Sequence, residues 1–299
     1  MPSLANLEHI FSTPMADHQV AMTHRETGPG GTLSKELLIG RIESGRRLAQ
    51  VVVTIRDEVG AVASVNALIA TLNVDIRQSM SYSLPGDSLA IYNAFVVFND
   101  PKISLVQLVE RLEESRHVVR AEALEGRDGV IVDGISFPVN WQGRRTVILS
   151  QPATTRMFEA MRYNLGSGGE VVLYEQGFSY GKELAEFFVA RLGNDYLSRN
   201  FEYTLRILAA TGWGVPEFVG HRGGLPDMTV SMLSCFECDG VRASQPICCF
   251  MRGFLSGISS TIAGHTVHCE ESRCLAKGDP RCEFNLRSGR VRLAGNADG

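Results

Sequence analysis

The chain has 299 residues, 44% of them hydrophobic and 21% charged, with a net charge of −4. This length can bury two ordinary cores, and the mild acidity argues against a protein that coats nucleic acid. No apolar run reaches the roughly 18 residues of a membrane span. The first thirty residues are interrupted by Glu8, Asp17 and Glu26 and do not read as a signal peptide, so a cytoplasmic location is expected.

Residues 1–46 read as a flexible arm, with scattered apolar positions, the stretch Gly28-Pro29-Gly30-Gly31 and a short helix expected over Leu33–Ile42. From Arg47 the pattern sharpens. Ala49–Ile55 is a β-branched run and predicts a strand. Val62, Val65, Leu68, Ile69 and Leu72 lie at helical spacing. Val74–Tyr82 and Ser88–Phe98 read as two strands joined by a turn at Leu84-Pro85-Gly86-Asp87. Leu105, Leu108, Val109 and Leu112 predict a second helix, and His117–Leu124 a last strand. The order strand–helix–strand–strand–helix–strand is the ferredoxin-like arrangement.

Residues 126–145 read as a linker containing Gly126, Gly129, Phe137-Pro138 and Gly143. Beyond it, helices are expected at Met157–Leu165, Gly181–Leu192, Glu202–Ala210 and Ile247–Ile262. Strands are expected at Glu170–Tyr174, Trp213–Gly220, Met228–Phe236, His265–Glu271 and Arg281–Leu286, followed by a flexible tail over 288–299.

All seven cysteines lie between Cys235 and Cys282. An odd number, crowded together in a reducing compartment, reads as metal chemistry before disulfides. The strongest local signal is Glu271-Ser-Arg-Cys274-Leu-Ala-Lys-Gly278-Asp-Pro-Arg-Cys282. Its Gly278-Pro280 turn can bring the two cysteines together, and Glu271 can point inward from the same loop. A fourth ligand comes from the Cys248–Cys249 pair, of which only one faces a given point because successive helical residues are rotated by about 100°. Thiolates favour zinc over magnesium or calcium. Cys235-Phe-Glu-Cys238 is a rival pair; as strand residues three apart they would face opposite sides and pack in the core. Cys269 reads as a strand residue, and His265 and His268 as ordinary strand histidines.

Two resemblances add to this. Residues 47–125 resemble an ACT domain through the strand ending at Ile55, then Asp57, Gly60 and the helix Ala61–Leu72. The resemblance implies a regulatory module whose Asp57–Gly60 turn lies at a dimer interface and binds small effectors. Cys248, Gly253, Gly257, Glu271, Cys274, Gly278 and Cys282 look like the 4-vinyl-reductase-type domain, with Tyr174–Gly177 and Gly181 as its first strand-to-helix passage. That family includes the aromatic-sensing domains of phenol- and xylene-responsive activators, a protein linked to bacteriochlorophyll vinyl reduction and, distantly, vesicle-tethering subunits.

The second resemblance covers residues 146–287. It implies one structural zinc on Cys248, Glu271, Cys274 and Cys282, and an apolar pocket to which Phe158, Met161, Tyr174, Phe178, Phe188 and Trp213 contribute. The expected fold class is α+β: a ferredoxin-like ACT domain, then a mixed α/β zinc-containing sensor domain. The expected function is non-catalytic sensing of a hydrophobic or aromatic small molecule, with output through a homodimer or a partner protein and no direct contact with nucleic acid or membrane. The alternative is a tetrapyrrole (bacteriochlorophyll) 4-vinyl reductase or its accessory factor. No Gly-x-Gly-x-x-Gly fingerprint follows a strand to hold a hydride donor, and no catalytic dyad stands out.

Overall fold

The β-branched run that begins at Leu48 sits at the centre of the first of two units into which the chain divides, Lys35–Val147 and Ile148 onward. The computed structural model describes residues 34–84, 86, 88–219 and 227–289; the expected arm over 1–33 and the end of the expected tail, 290–299, lie outside them.

The first unit contains β1 (Gly40–Ile42), β2 (Leu48–Arg56), α1 (Ala61–Thr71), β3 (Val74–Ser83), β4 (Leu89–Phe98), α2 (Leu105–Glu113), β5 (Val118–Glu125), β6 (Val130–Val132), β7 (Asn140–Trp141) and β8 (Arg144–Arg145). An antiparallel sheet runs β3-β4-β2-β5, with Val51 opposite Ala94 on one side and Ala123 on the other. Because side chains alternate along a strand, Ala49, Val51, Val53 and Ile55 share one face. They pack with Val65 and Ile69 of α1 and with Leu108 and Leu112 of α2. Ser104 and Gln107 form a reciprocal capping box that starts α2.

The second face of β2 carries Leu48, packed with Phe95, Val97 and Ile131, and the buried Gln50. Gln50 and Asn93 both donate to Asp133, at 2.6 and 3.3 Å. This face is why the stretch expected as a linker is structured: β6 pairs with β1, and β7 and β8 form a hairpin around Gln142 and Gly143, both at positive φ. The helix expected over Leu33–Ile42 is absent among the described residues; Gly40–Ile42 is a strand instead. Pairing with the β-branched β6 outweighs a weak helical spacing that contains Gly40.

The second unit contains α3 (Gln151–Leu165), α4 (Ser167–Leu192), α5 (Asn194–Arg199), α6 (Phe201–Leu205), α7 (Ile207–Ala210), β9 (Val215–Val219), β10 (Met228–Leu233), α8 (Cys249–Ala263), β11 (Val267–Arg273) and β12 (Cys282–Ser288). Its antiparallel sheet runs β11-β12-β10-β9. The expected strand Glu170–Tyr174 and the strand-to-helix passage at Tyr174–Gly181 are instead one continuous stretch of α4. The reason lies on the partner helix. Gly177 and Gly181 of α4 face Gly253 and Gly257 of α8, and a Cβ on any of the four would stand 2.0–2.2 Å from a carbonyl oxygen of the opposite helix. The two backbones touch over two turns, so the β-branched Val171 and Val172 are held helical by packing rather than by propensity.

Candidate metal centre

β10 ends at Leu233, and Ser234 at φ 48 turns the chain out of the sheet. The Cys235 carbonyl then accepts the amides of Cys238, at 3.1 Å, and Asp239, at 3.0 Å. This tight turn carries both thiols to one side, which corrects the expectation that strand geometry would separate them. Cys235 Sγ lies 3.8 Å from Cys248 Sγ, and Cys238 Sγ lies 3.4 Å from Cys282 Sγ.

Between the two cysteines, Glu237 is fully buried and does a different task. Its carboxylate accepts the amides of Phe250, at 3.1 Å, and Met251, at 2.9 Å, in the first turn of α8, and pairs with Arg162 at 2.7 Å. Negative charge at a helix N-terminus satisfies amides that have no partner within the helix. Burial pushes the Glu237 carboxyl up to about 7, against the pull of those amides and of Arg162.

Cys248 sits at the start of α8, as the glycine spacing requires, and its thiol lies 3.8 Å from Cys274 Sγ and 3.9 Å from Cys282 Sγ. A bulge between Glu271 and Arg273 ends the regular part of β11 and turns Glu271 toward the cluster. Glu271 Oε2 accepts the Cys248 amide at 2.9 Å, while Oε1 is buried without a hydrogen-bond partner. Cys274 follows, its amide held at 2.9 Å by Asp279, and Gly278 at φ 93 closes the turn to Cys282.

Two sets of four donors therefore occur among the described residues: Cys248, Glu271, Cys274 and Cys282, and Cys235, Cys238, Cys248 and Cys282. Within each, all ligand atoms lie within 4.8 Å of one another, and either set can hold a metal ion. The chemistry of the donors fits a cation. Burial, with Cys274 beside it, pushes Glu271 up to about 8. Hydrogen bonding, from Cys235 first, holds Cys238 well below the usual thiol range, whereas burial pushes Cys248 well above it. Thiols packed this closely can stabilise one thiolate among them, but ionising all five needs positive charge in their midst.

The remaining cysteines stand apart from both sets. Cys249 accepts from Arg252 at 3.2 Å, and burial pushes its thiol up. Cys269 is buried on β11, and burial raises its thiol too. His265 contacts the Ala263 carbonyl at 3.0 Å and is exposed, and neither it nor His268 joins the cluster.

The six expected pocket residues are not gathered around one cavity. Phe158 and Trp213 belong to an aromatic cluster with Phe236, Phe250 and Tyr180. Tyr174 stacks on Phe178 and donates to Ser256 at 3.0 Å; Phe188 lies edge-on to Phe187, and Met161 is half-buried on α3. A cavity of about 330 Å³ in this unit is lined by residues 198–203 and Met228, none of the six. In the first unit, Gly60 starts α1 at φ 89 with open space where a Cβ would be, and Asp57 donates its amide to Ser88. Asp57 borders a shallow cavity of about 130 Å³ between the end of β2, α1 and the β3–β4 hairpin. Among the described residues, no helix is long and apolar enough to cross a membrane.

Cys235, Cys238 and Glu237 are the members of the site that sequence reasoning set aside. The Cys-x-x-Cys spacing was the signal for them, hidden by an expected strand that ends three residues early.

Among known proteins, the chain is similar to uncharacterized protein MJ0745 of Methanocaldococcus jannaschii, 24% identical over 117 residues, which are 39% of this chain and 56% of that one. It is also similar to uncharacterized protein MJ0150 of the same organism, 27% identical over 135 residues, 44% of this chain and 73% of that one. The chain thus spans about half the length of the first. Two solved structures share part of its fold. One is the phenol-responsive sensory domain of the transcription activator PoxR, with TM-score 0.43 and 20% identity over 50% of this chain and 79% of that one. The other is a vinyl-4-reductase family protein of M. jannaschii, with TM-score 0.37 and 20% identity over 48% and 85%. Residues 228–288, from the start of β10 to the end of β12, match the family model of the vinyl-4-reductase domain.

Proposed function

We propose that this chain is a non-catalytic sensor or regulatory protein for a small hydrophobic or aromatic ligand, with a structural zinc site on Cys248, Glu271, Cys274 and Cys282. The observation that carries the metal reading is the unpartnered, buried Glu271 Oε1 beside three thiols at tetrahedral separations. Zn–S bonds of about 2.3 Å give a tetrahedron edge of about 3.8 Å, against 3.8 and 3.9 Å between Cys248 and its two partners. Four protein donors leave no position for water, which is the structural rather than the catalytic type of zinc site. The zinc would tie the start of α8 to the loop between β11 and β12.

The sensor reading is supported by the vinyl-4-reductase domain match over 228–288 and by the aromatic side chains on α3, α4 and the segment before β9. A ligand would insert among Phe158, Met161, Tyr174, Phe178, Phe188 and Trp213. Output passes through dimerisation or a partner chain, with the first unit as an ACT-like regulatory module whose Asp57–Gly60 turn meets an effector.

The test is metal content of the purified protein beside Cys274→Ser and Cys282→Ser, with a thermal melt. Zinc in the wild type, lost from both variants with a fall in Tm, supports the site; a metal-free wild type of unchanged stability rejects it. Aromatic ligands are then titrated against a Trp141→Phe variant, in which Trp213 is the remaining tryptophan reporter. Saturable quenching supports sensing, and no response across phenols and alkylbenzenes rejects it.

A further inference from the structure

We propose that Cys235 and Cys238 complete a second metal position that shares Cys248 and Cys282 with the first, so that the site takes two thiophilic dications. The inference rests on the metal reading above and goes beyond it. The two donor sets have two members in common, Cys248 and Cys282, and each contributes two of its own: Cys235 and Cys238 on one side, Glu271 and Cys274 on the other. This is the connectivity of two tetrahedra joined along an edge, with the common thiolates bridging and the other four donors terminal.

The distances fit. The shared edge, Cys248 to Cys282, is 3.9 Å, and from it Cys235 stands 3.8 Å from Cys248 and Cys238 stands 3.4 Å from Cys282. Tetrahedral thiolate ligation at about 2.3 Å requires about 3.8 Å between sulfurs. The two extra thiols are also placed by dedicated structure. Ser234 leaves the sheet at positive φ, the Cys235 carbonyl gathers two amides, and Glu237 locks the turn onto α8 and Arg162. A pair of core cysteines would need none of this, and neither thiol would need to touch the other set. All five thiols are buried.

Charge balance permits the second ion. When a dication binds two neutral thiols, two S–H protons leave and two metal–sulfur bonds form, so the buried net charge is unchanged. The second cation also neutralises the bridging thiolates, which the first metal alone must share among four anionic donors. Soft donors of this kind select zinc or cadmium over hard cations.

The experiment uses the full chain under reducing conditions, loaded with ¹¹³Cd(II) and read by metal-to-protein ratio and cadmium NMR. The expected result is two cadmium ions per chain and two resonances, each split by the other through the bridging sulfurs. Cys235→Ser/Cys238→Ser should bind half as much, with one unsplit resonance, and keep the wild-type fold by circular dichroism. One cadmium and one unsplit resonance in the wild type would overturn the proposal while leaving the single site standing. So would two ions retained by the double variant. A wild type that binds none would overturn both readings. The wild-type ratio and splitting decide the question even where the double variant fails to fold.

Discussion

Gly253 of α8 lies against Tyr174 of α4 so closely that a methyl group at Gly253 would stand 2.0 Å from the Tyr174 carbonyl oxygen. Gly177 repeats the relation in the other direction, against Phe250. Neither obstacle is a movable side chain, so Gly253→Ala has to separate two helices. We expect a loss of about 3 kcal/mol or more, read as a fall in Tm on the order of 10 °C. Gly60→Ala is the contrasting case: its φ of 89 strains any side chain, but nothing lies within 4 Å, so the expected loss is about 1 kcal/mol. Equal losses at the two positions would refute the backbone-contact account.

The same pair of helices marks where sequence reading runs out. The sheet of the first unit was legible because Ala49–Ile55 is β-branched and alternates against two amphipathic helices, each a local signal. Val171 and Val172, preceded by Gly168 and Gly169, carry a local signal for a strand, yet they are helical because α8 presents Gly253 and Gly257 to the helix they belong to. Each glycine was visible; their pairing is a tertiary fact. The convergence of Cys248, Glu271, Cys274 and Cys282 was readable from a short loop with a glycine turn. Cys235 and Cys238 were not, because one positive φ at Ser234 decides whether they diverge along a strand or meet in a turn.

Removing metal should act on the second unit. Chelation, or Cys274→Ser, leaves buried thiols and a buried carboxyl with no cation between them. We expect Tm to fall on the order of 10 °C, with the loss followed by Trp213 fluorescence in a Trp141→Phe background. An unchanged melt after complete chelation would show that the cluster holds the fold without metal.

Asp133 should give the first unit an acid-sensitive step. Burial raises its carboxyl, but the amides of Ser136 and Ile135 and the Gln50 side chain, at 2.8, 3.1 and 2.6 Å, outweigh it and hold the group below its usual 3.8. A carboxylate lowered on folding adds stability above its unfolded pKa and loses it as pH falls through the folded one. Asp133→Asn should therefore cost about 1 kcal/mol near neutrality and nothing once the pH lies below both values. Urea unfolding of a Trp213→Phe variant, which keeps Trp141, at several pH values from neutral down to strongly acid checks this; a penalty that persists at the acid end would exclude the carboxylate as its source.

Arg162 and Glu237 should give the opposite slope. Glu237 is fully buried, and Arg162 lies 2.7 Å away while also donating to the Ile247 carbonyl at 2.7 Å. Removing one member of a buried pair leaves a charge without compensation and costs about 3–5 kcal/mol. Here the carboxyl has a partial escape, because burial already pushes it up to about 7 with the arginine in place. A group whose pKa is raised on folding stabilises below its unfolded value, and that contribution is lost as pH rises through the folded one. Arg162→Met should therefore destabilise more at about pH 8, where the unpaired carboxyl resists ionisation, than at about pH 5.5, where it is protonated at little cost. The readout is the difference in Tm from wild type at each pH, with Arg162→Lys restoring part of the loss at the higher one. A penalty of the same size at both would mean that Arg162 acts through its contact with Ile247 and its packing, and that the charge on Glu237 is not what it compensates.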